Sequence, residues 1–216
     1  MSLVRIPVDA PAHGASARPF VLGCGALVRE LRAVLGRSGL SELVEVDFLP
    51  AHLHNRPERI VPAIEERLAT VDHERPVVLA YADCGTGGLL DAFIARSDRD
   101  IVRLPGAHCY ELFAGAALFD RLHTDEPGTF YLTDFLTAHF DALVWRGLGL
   151  DRYPALRDVV FANYERVVLL SQRDAPATVA AATEIADRLD LAFIHVHTGL
   201  DAFADPVDAA VRVGVP

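Results

Sequence analysis

Short apolar runs alternate along this chain with longer stretches whose apolar residues recur every three or four positions. Phe20–Gly23 and Val77–Tyr81 are unbroken apolar runs, as expected of parallel strands covered on both faces. Leu43–Leu49, Ile101–Leu104, Phe130–Thr133, Val167–Ser171 and Leu191–Val196 supply further strands. Between them, Ala26–Leu35 repeats Leu27, Leu31 and Val34 at helical spacing. Pro57–Val71 does the same with Ile60, Ile64 and Leu68 behind a first-turn proline. Gly88–Arg96, Cys109–Leu118, Asp134–Arg146, Tyr153–Asn163, Thr178–Leu189 and Pro206–Val211 complete the predicted helices. Strand followed by helix, repeated, predicts an α/β protein: a mostly parallel sheet covered by helices in a Rossmann-like, three-layer arrangement. The stretch 134–164 is all helical and reads as an insertion capping one end of the sheet. Residues 1–18 read as a flexible lead-in, and 19–216 as a single α/β domain. The strand–thiol–helix pattern around Cys24 and Cys84 hints at two pseudo-repeated halves.

The 216 residues are half hydrophobic, enough for a sizeable core. Thirty acidic against twenty basic residues give a net charge of −10 and argue against a nucleic-acid partner. No apolar run is long enough to span a bilayer, and the first residues lack the apolar stretch of a secretory signal. The expected location is therefore the cytoplasm, where free thiols persist. The sequence contains no lysine, so every basic residue other than histidine is arginine. That excludes a P-loop, whose phosphates need a lysine, and Schiff-base chemistry.

The three cysteines change the picture most. Cys24, Cys84 and Cys109 each sit where a predicted strand hands over to a helix, in FVLGCGAL, VVLAYADCGTGG and LPGAHCYELFAG. In parallel sheets that edge is where ligands bind. Three thiols converging there predict a metal centre rather than a disulfide framework. Iron–sulfur, with a 4Fe-4S cluster favoured, and zinc both suit soft thiolates. Gly25 and Gly85 follow two of the cysteines and let the backbone approach a bulky group, with Thr86 next in the loop. His54, His108 and Glu111 are candidate catalytic residues beside the thiols, and His54 or His108 is a candidate fourth ligand. Gln172, at the end of a later strand with Ser171 and Arg173, is a candidate contact to the bound group. His195 and His197 alternate at the last strand's end and are read chiefly as hydrogen-bonded histidines. Asp83–Gly88 is the alternative phosphate cradle, although it lacks the Gly-x-Gly-x-x-Gly order.

These segments together carry a resemblance. CGAL at Cys24, LPAHLHNRPERI at Leu49–Ile60, YADCGTGGLLD at Tyr81–Asp91 and GAHCYELFAG at Gly106–Gly115 resemble an uncharacterised bacterial and archaeal domain-of-unknown-function family. PGTFYLTDFLTAHFD, LGLDRYPALRD and NYERVVLL extend the likeness through Leu170. Members of that family often occur beside corrinoid-dependent methyltransferases, so the resemblance implies a role near one-carbon metabolism and supplies no reaction. The three-loop cysteine plan is also similar to that of quinolinate synthase and the 2-hydroxyacyl dehydratases, in site architecture alone.

The expected function is accordingly a metalloenzyme acting on a small polar substrate. The alternatives are a non-catalytic accessory protein that binds a corrinoid protein or cofactor, and a metal-free enzyme with a cysteine nucleophile. A homodimer is compatible with every reading.

Overall fold

The computed structural model describes residues 18–214, so all but the last residue of the expected lead-in at 1–18 lies outside the described residues. The described residues divide into two compact units, 18–112 with 203–214, and Phe113–Ala202. Each is built on a parallel sheet flanked by helices, the α/β class that the alternation predicts. The strands do not share one sheet, however. They form a four-stranded sheet in the order β2-β1-β3-β4 and a three-stranded sheet in the order β5-β6-β7. Alternation reveals how many strands a chain has; which strands pair is decided by contacts distant in sequence.

In the first unit the strands are β1 (Phe20–Cys24), β2 (Glu45–Leu49), β3 (Val77–Ala80) and β4 (Ile101–Arg103). The unbroken apolar runs of β1 and β3 are explained by their central position, where both faces are covered. Edge strand β2 alternates polar residues into its sequence and is correspondingly more exposed. Between β1 and β2, helix α1 (Val28–Arg37) buries Leu31, Val34 and Leu35, one face at helical spacing. It stops at Ser38, and Gly39 takes the left-handed conformation that releases the chain. The expected helix 57–71 opens with a short 3-10 turn at Pro57–Arg59 and continues as α2 (Ile60–Leu68), with Ile60, Ile64 and Leu68 buried.

Helix α3 (Leu89–Arg96) links β3 to β4 and carries Asp91 in its first turn. Asp91 makes a two-pronged ion pair with Arg103 at 2.5 and 2.9 Å. Arg103 is only 5% exposed and also donates to the Leu104 carbonyl at 2.8 Å. A guanidinium this enclosed needs a counter-charge, and Asp91 raises its affinity for the proton.

The expected helix 109–118 is two helices, α4 (Cys109–Ala114) and α5 (Ala116–Asp125), broken at Gly115 with φ near +74°. In the second unit, β5 (Thr129–Thr133) pairs with β6 (Arg166–Ser171), which pairs with β7 (Ala192–His197), all parallel. The helical stretch expected at 134–164 is present in pieces: α6 (Asp134–Ala138), a π-helical turn at Asp141–Trp145 and α7 (Leu156–Val160). It is the crossover joining β5 to β6, as a parallel pair requires. Phe130 stands edge-on to Phe140, Phe161 and Tyr164, which fastens this crossover onto β5. Helix α8 (Pro176–Leu189) starts with proline in its first turn and packs Ala182, Ile185 and Leu189 into the same core. The last helix, α9 (Asp201–Gly214), begins well before the expected Pro206–Val211 and carries Pro206 within it. Among the described residues no helix is long and apolar enough to cross a membrane.

Asp91→Ala strands the buried Arg103 guanidinium with backbone carbonyls alone. It should cost about 2 kcal/mol or more of unfolding free energy in a denaturant titration, discounted because Asp91 is partly exposed. Asp91→Glu, which keeps the charge, should recover much of the loss.

Candidate functional site

The register of the first sheet builds the site. Cys24, the last residue of β1, pairs with Leu49, the last residue of β2. On the other side Gly23 pairs with Ala80, so the next residue along β3, Tyr81, stands level with Cys24. One row at the carboxyl edge therefore reads Leu49, Cys24, Tyr81. From it the chain enters three loops.

The first loop follows β1. Cys24 Sγ accepts from the Ala26 backbone N–H at 3.3 Å and so caps the turn Gly25–Leu27. A side chain on Gly25 would lie 2.9 Å from the Leu49 carbonyl oxygen and 3.1 Å from the Ala51 nitrogen. Both are backbone atoms, so glycine is required for the β1 and β2 ends to meet this closely.

The second loop follows β2 and turns through Ala51–Asn55. It brings His54 Nδ1 to 3.7 Å from Cys24 Sγ and 3.1 Å from the Ala51 carbonyl. A carbonyl only accepts, so Nδ1 carries the proton and Nε2 keeps the lone pair. Burial holds His54 below its ordinary pKa, with the Ala51 contact opposing and His108 reinforcing. Its ring lies parallel to that of Tyr81, 8° apart with centroids at 6.4 Å. His52, its alternate neighbour, is exposed.

The third loop follows β3. Cys84 adopts a left-handed φ of 54°, uncommon for a residue with a side chain and often found at functional sites. Its N–H donates to the Ala107 carbonyl at 2.8 Å, and Asp83 N–H donates to Gly106 at 3.1 Å. These bonds zip the loop after β3 to the loop after β4, which leads into Cys109 at the start of α4. The Asp83 carboxylate accepts from the Thr86 hydroxyl at 2.5 Å and from the Gly87 and Gly88 N–H groups at 3.0 Å. Burial alone would raise the Asp83 carboxyl, but these donors outweigh it and hold it below the ordinary range. Because Gly87 and Gly88 are spent on Asp83, the loop is not an open phosphate cradle.

The three thiols come together. Cys24 and Cys84 are buried; Cys109 is partly exposed as a residue, but its sulfur is enclosed. Burial pushes Cys24 up to about 11 from an ordinary value of 9.0, the Ala26 N–H opposing. Burial, followed by the Cys24 sulfur, pushes Cys84 up to about 12. Cys109 is raised well above 9.0 by burial and then by Cys84 and Cys24. Each sulfur thus lies within electrostatic reach of the other two. Among the described residues, no three His, Cys, Asp or Glu side chains are already closed around a point as metal ligands. The thiols are neighbours and protonated, within electrostatic reach of one another.

The other sequence candidates fall in different places. Glu111 Oε2 accepts from Ala107 N–H at 3.0 Å and clamps the loop leading into α4. His108 is exposed, its ring tilted against Tyr110. Gly85, also left-handed, abuts Pro57, and the Thr86 hydroxyl is taken by Asp83. Gln172 directly follows β6 in the second sheet. Its Oε1 accepts from Asp134 N–H, and its Nε2 donates to the Leu170 carbonyl. His195 and His197 also belong to that sheet, where Ser171 Oγ lies 2.9 and 3.1 Å from their ring nitrogens. Sequence reasoning passed over Tyr81, counted as the last residue of an apolar strand. The available signal was a polar-tipped aromatic at the end of an otherwise apolar run, three residues before Cys84.

Fold and site together define an α/β protein with three thiols gathered at the strand ends of one parallel sheet. The chain belongs to the family described as "Protein of unknown function (DUF1638)", whose model matches residues 48–206. Cys84 and Cys109 fall inside that match, while Cys24 precedes it. No curated protein and no solved structure matches the chain.

Thiols held above their ordinary pKa stabilise the fold below about pH 9 and cease to do so as pH rises through the folded values. The folded chain keeps protons that the unfolded chain releases. Stability of the metal-free protein should therefore fall between pH 9.0 and about 12, and iodoacetamide at pH 8 should label native thiols far more slowly than unfolded ones. Gly25→Ala should cost about 1–3 kcal/mol, read by chemical denaturation, because a methyl group must displace backbone.

Proposed function

We propose that Cys24, Cys84 and Cys109 hold an iron–sulfur cluster or a zinc ion, and that the protein is a metal-dependent enzyme acting on a small polar substrate. The observation that carries this reading is the meeting of three enclosed sulfurs, from the end of β1, the loop after β3 and the start of α4 beyond β4. Three neutral thiols packed together gain little, since burial and mutual repulsion both oppose their ionisation. A multivalent cation reverses that balance by stabilising all three thiolates at once. The donor set fits such a group: soft sulfur, from separate loops of a folded edge. His54 fits the edge of the same set. Its Nδ1–H is fixed on the Ala51 carbonyl, the outer contact that metal-bound imidazoles commonly make, which leaves Nε2 as the coordinating nitrogen. When bound, zinc or a cluster with an open position supplies Lewis-acid or redox chemistry. The chain's own residues hold the edge rigid around it. Asp83 fixes the Cys84 loop, Glu111 clamps the approach to Cys109, and Gly25 lets β1 and β2 close. A place beside corrinoid-dependent one-carbon chemistry, in the cytoplasm, belongs to this proposal on the strength of the family resemblance.

A second reading has its own supporting observation. Leu148, Tyr153, Leu156, Val159 and Val160 are all exposed, concentrated on and before α7 in the second unit. Such a patch suits an accessory protein that docks a corrinoid protein. A lone nucleophilic cysteine without metal is the weakest reading, because no thiol is held below its ordinary pKa.

Anaerobically purified protein should carry stoichiometric iron or zinc, a brown chromophore marking the cluster and a colourless sample zinc. Cys84→Ser should lower metal affinity by more than the roughly 10–100-fold that loss of an outer-shell partner costs. Metal content near zero in the wild type would sink the reading. Val159→Asp separates the accessory role, since it should weaken binding to a purified corrinoid protein while leaving metal content intact.

A further inference from the structure

Tyr81 stands beside Cys24 at the thiol edge, and its hydroxyl has nothing to bond there. The side chain is 1% exposed, and its hydroxyl is buried without a hydrogen-bond partner among the described residues. Buried hydroxyls are nearly always paired, and an orphan calls for an explanation. The parallel ladder sets Tyr81 level with Cys24, and its ring is stacked on His54, whose Nδ1 reaches Cys24. Sulfur is a weak acceptor, and no cysteine of the edge takes the Tyr81 proton. Other polar groups here are already committed. Thr86 donates to Asp83, Gly87 and Gly88 donate to Asp83, and Ala107 donates to Glu111. His54 has its proton on Ala51. Tyr81 is left holding an unpaired O–H within electrostatic reach of Cys24 and Cys84.

We propose that the Tyr81 hydroxyl is the hydrogen-bond donor to the molecule bound at this edge, and that this molecule presents an acyl oxygen, of a carboxylate or a carbonyl, to it. The inference rests on the three-thiol metal reading and deepens it by naming the chemistry of the substrate. A phenol donates to one oxygen in the plane of its own ring, and the His54 ring lies parallel beside it. The donor selects for a molecule with an oxygen acceptor, and against a purely apolar one, because an apolar guest leaves the hydroxyl as orphaned as before. Tyr81 is thus a specificity-determining residue, required to bind and orient rather than to hold metal.

The test uses the full chain loaded with Co²⁺, as wild type and as Tyr81→Phe, titrated with acetate and with acetamide. Binding is followed by calorimetry, by the cobalt visible bands and by the near-ultraviolet tyrosine difference spectrum. Removal of an unpartnered hydroxyl should leave the thermal midpoint of the metal-free variant unchanged or higher, and cobalt stoichiometry unchanged. At least one of the two probes should bind the wild type and shift its tyrosine band. That probe should bind Tyr81→Phe about tenfold more weakly, as expected for one lost hydrogen bond. Preference for acetate identifies a carboxylate and preference for acetamide a carbonyl. Equal affinity in both proteins, or no binding of either probe to the wild type, overturns the proposal while the metal reading stands. If the wild type takes up no cobalt, the metal reading falls. The same titrations on metal-free protein then decide Tyr81 alone, by the same tenfold criterion.

Discussion

Everything at the candidate site hangs on one parallel ladder. The pairing of β1 with β2 ends on Cys24 and Leu49, that of β1 with β3 ends one row earlier on Gly23 and Ala80, and side chains in register on neighbouring strands face the same way. Leu49, Cys24 and Tyr81 therefore arrive together without any local device to steer them. The loops that leave this row then have little freedom. One must clear Gly25, one must fold His54 back toward sulfur, and one must carry Cys84 through a left-handed turn. A one-residue slip in β1 would turn Cys24 to the opposite face and dismantle the arrangement at once.

The second constraint is dielectric. The edge is buried enough to disfavour three thiolates, yet it keeps three thiols within reach of each other. Proteins seldom assemble like-charging groups in a dry place without a use for the charge. Asp83 shows the opposite solution a few residues away: a carboxylate in a confined loop, stabilised by three donors from its own chain. The cysteines also accept from backbone N–H groups, Ala26 at Cys24 and Cys109 and Tyr110 at Cys109, but there burial outweighs the donors. The contrast between a carboxylate whose donors outweigh burial and three thiols whose burial outweighs theirs is what distinguishes the thiol edge from the surrounding loop scaffolding.

Much of this was legible in the sequence, for identifiable reasons. Strands β1 and β3 announced themselves because central parallel strands bury both faces, and the cysteines followed from their position at strand ends. Helices α1, α2 and α8 were legible from apolar spacing, α2 also from the proline near its first turn, whereas the Pro176 start of α8 was not. Less visible were features set by distant contacts. The strands fall into two sheets, so the rule that gathered the cysteines also carried Gln172, His195 and His197 to strand ends of the other sheet. The π-helical turn at Asp141–Trp145 arises where Trp145 meets Arg188, 3.4 Å from its ring centre, across more than forty residues. Glu111 looked like chemistry beside a cysteine and proved to be a loop clamp, because a carboxylate near a helix start finds backbone N–H groups close at hand. Tyr81 was hidden by its neighbours, since an aromatic closing an apolar run reads as core.

The family match spans residues 48–206, whereas β1, most of β2 and the end of α9 lie outside it. Yet β1 is the strand between β2 and β3, and Ser38 beyond it bonds Asp208 in α9 at 2.7 Å. A fragment cut to the matched segment would keep β3 and β4 with an unpaired inner edge and an exposed apolar face. The span that defines kinship is therefore not an autonomous folding unit. Recombinant pieces trimmed to it should collapse or associate through that open edge rather than fold as a smaller version of the protein.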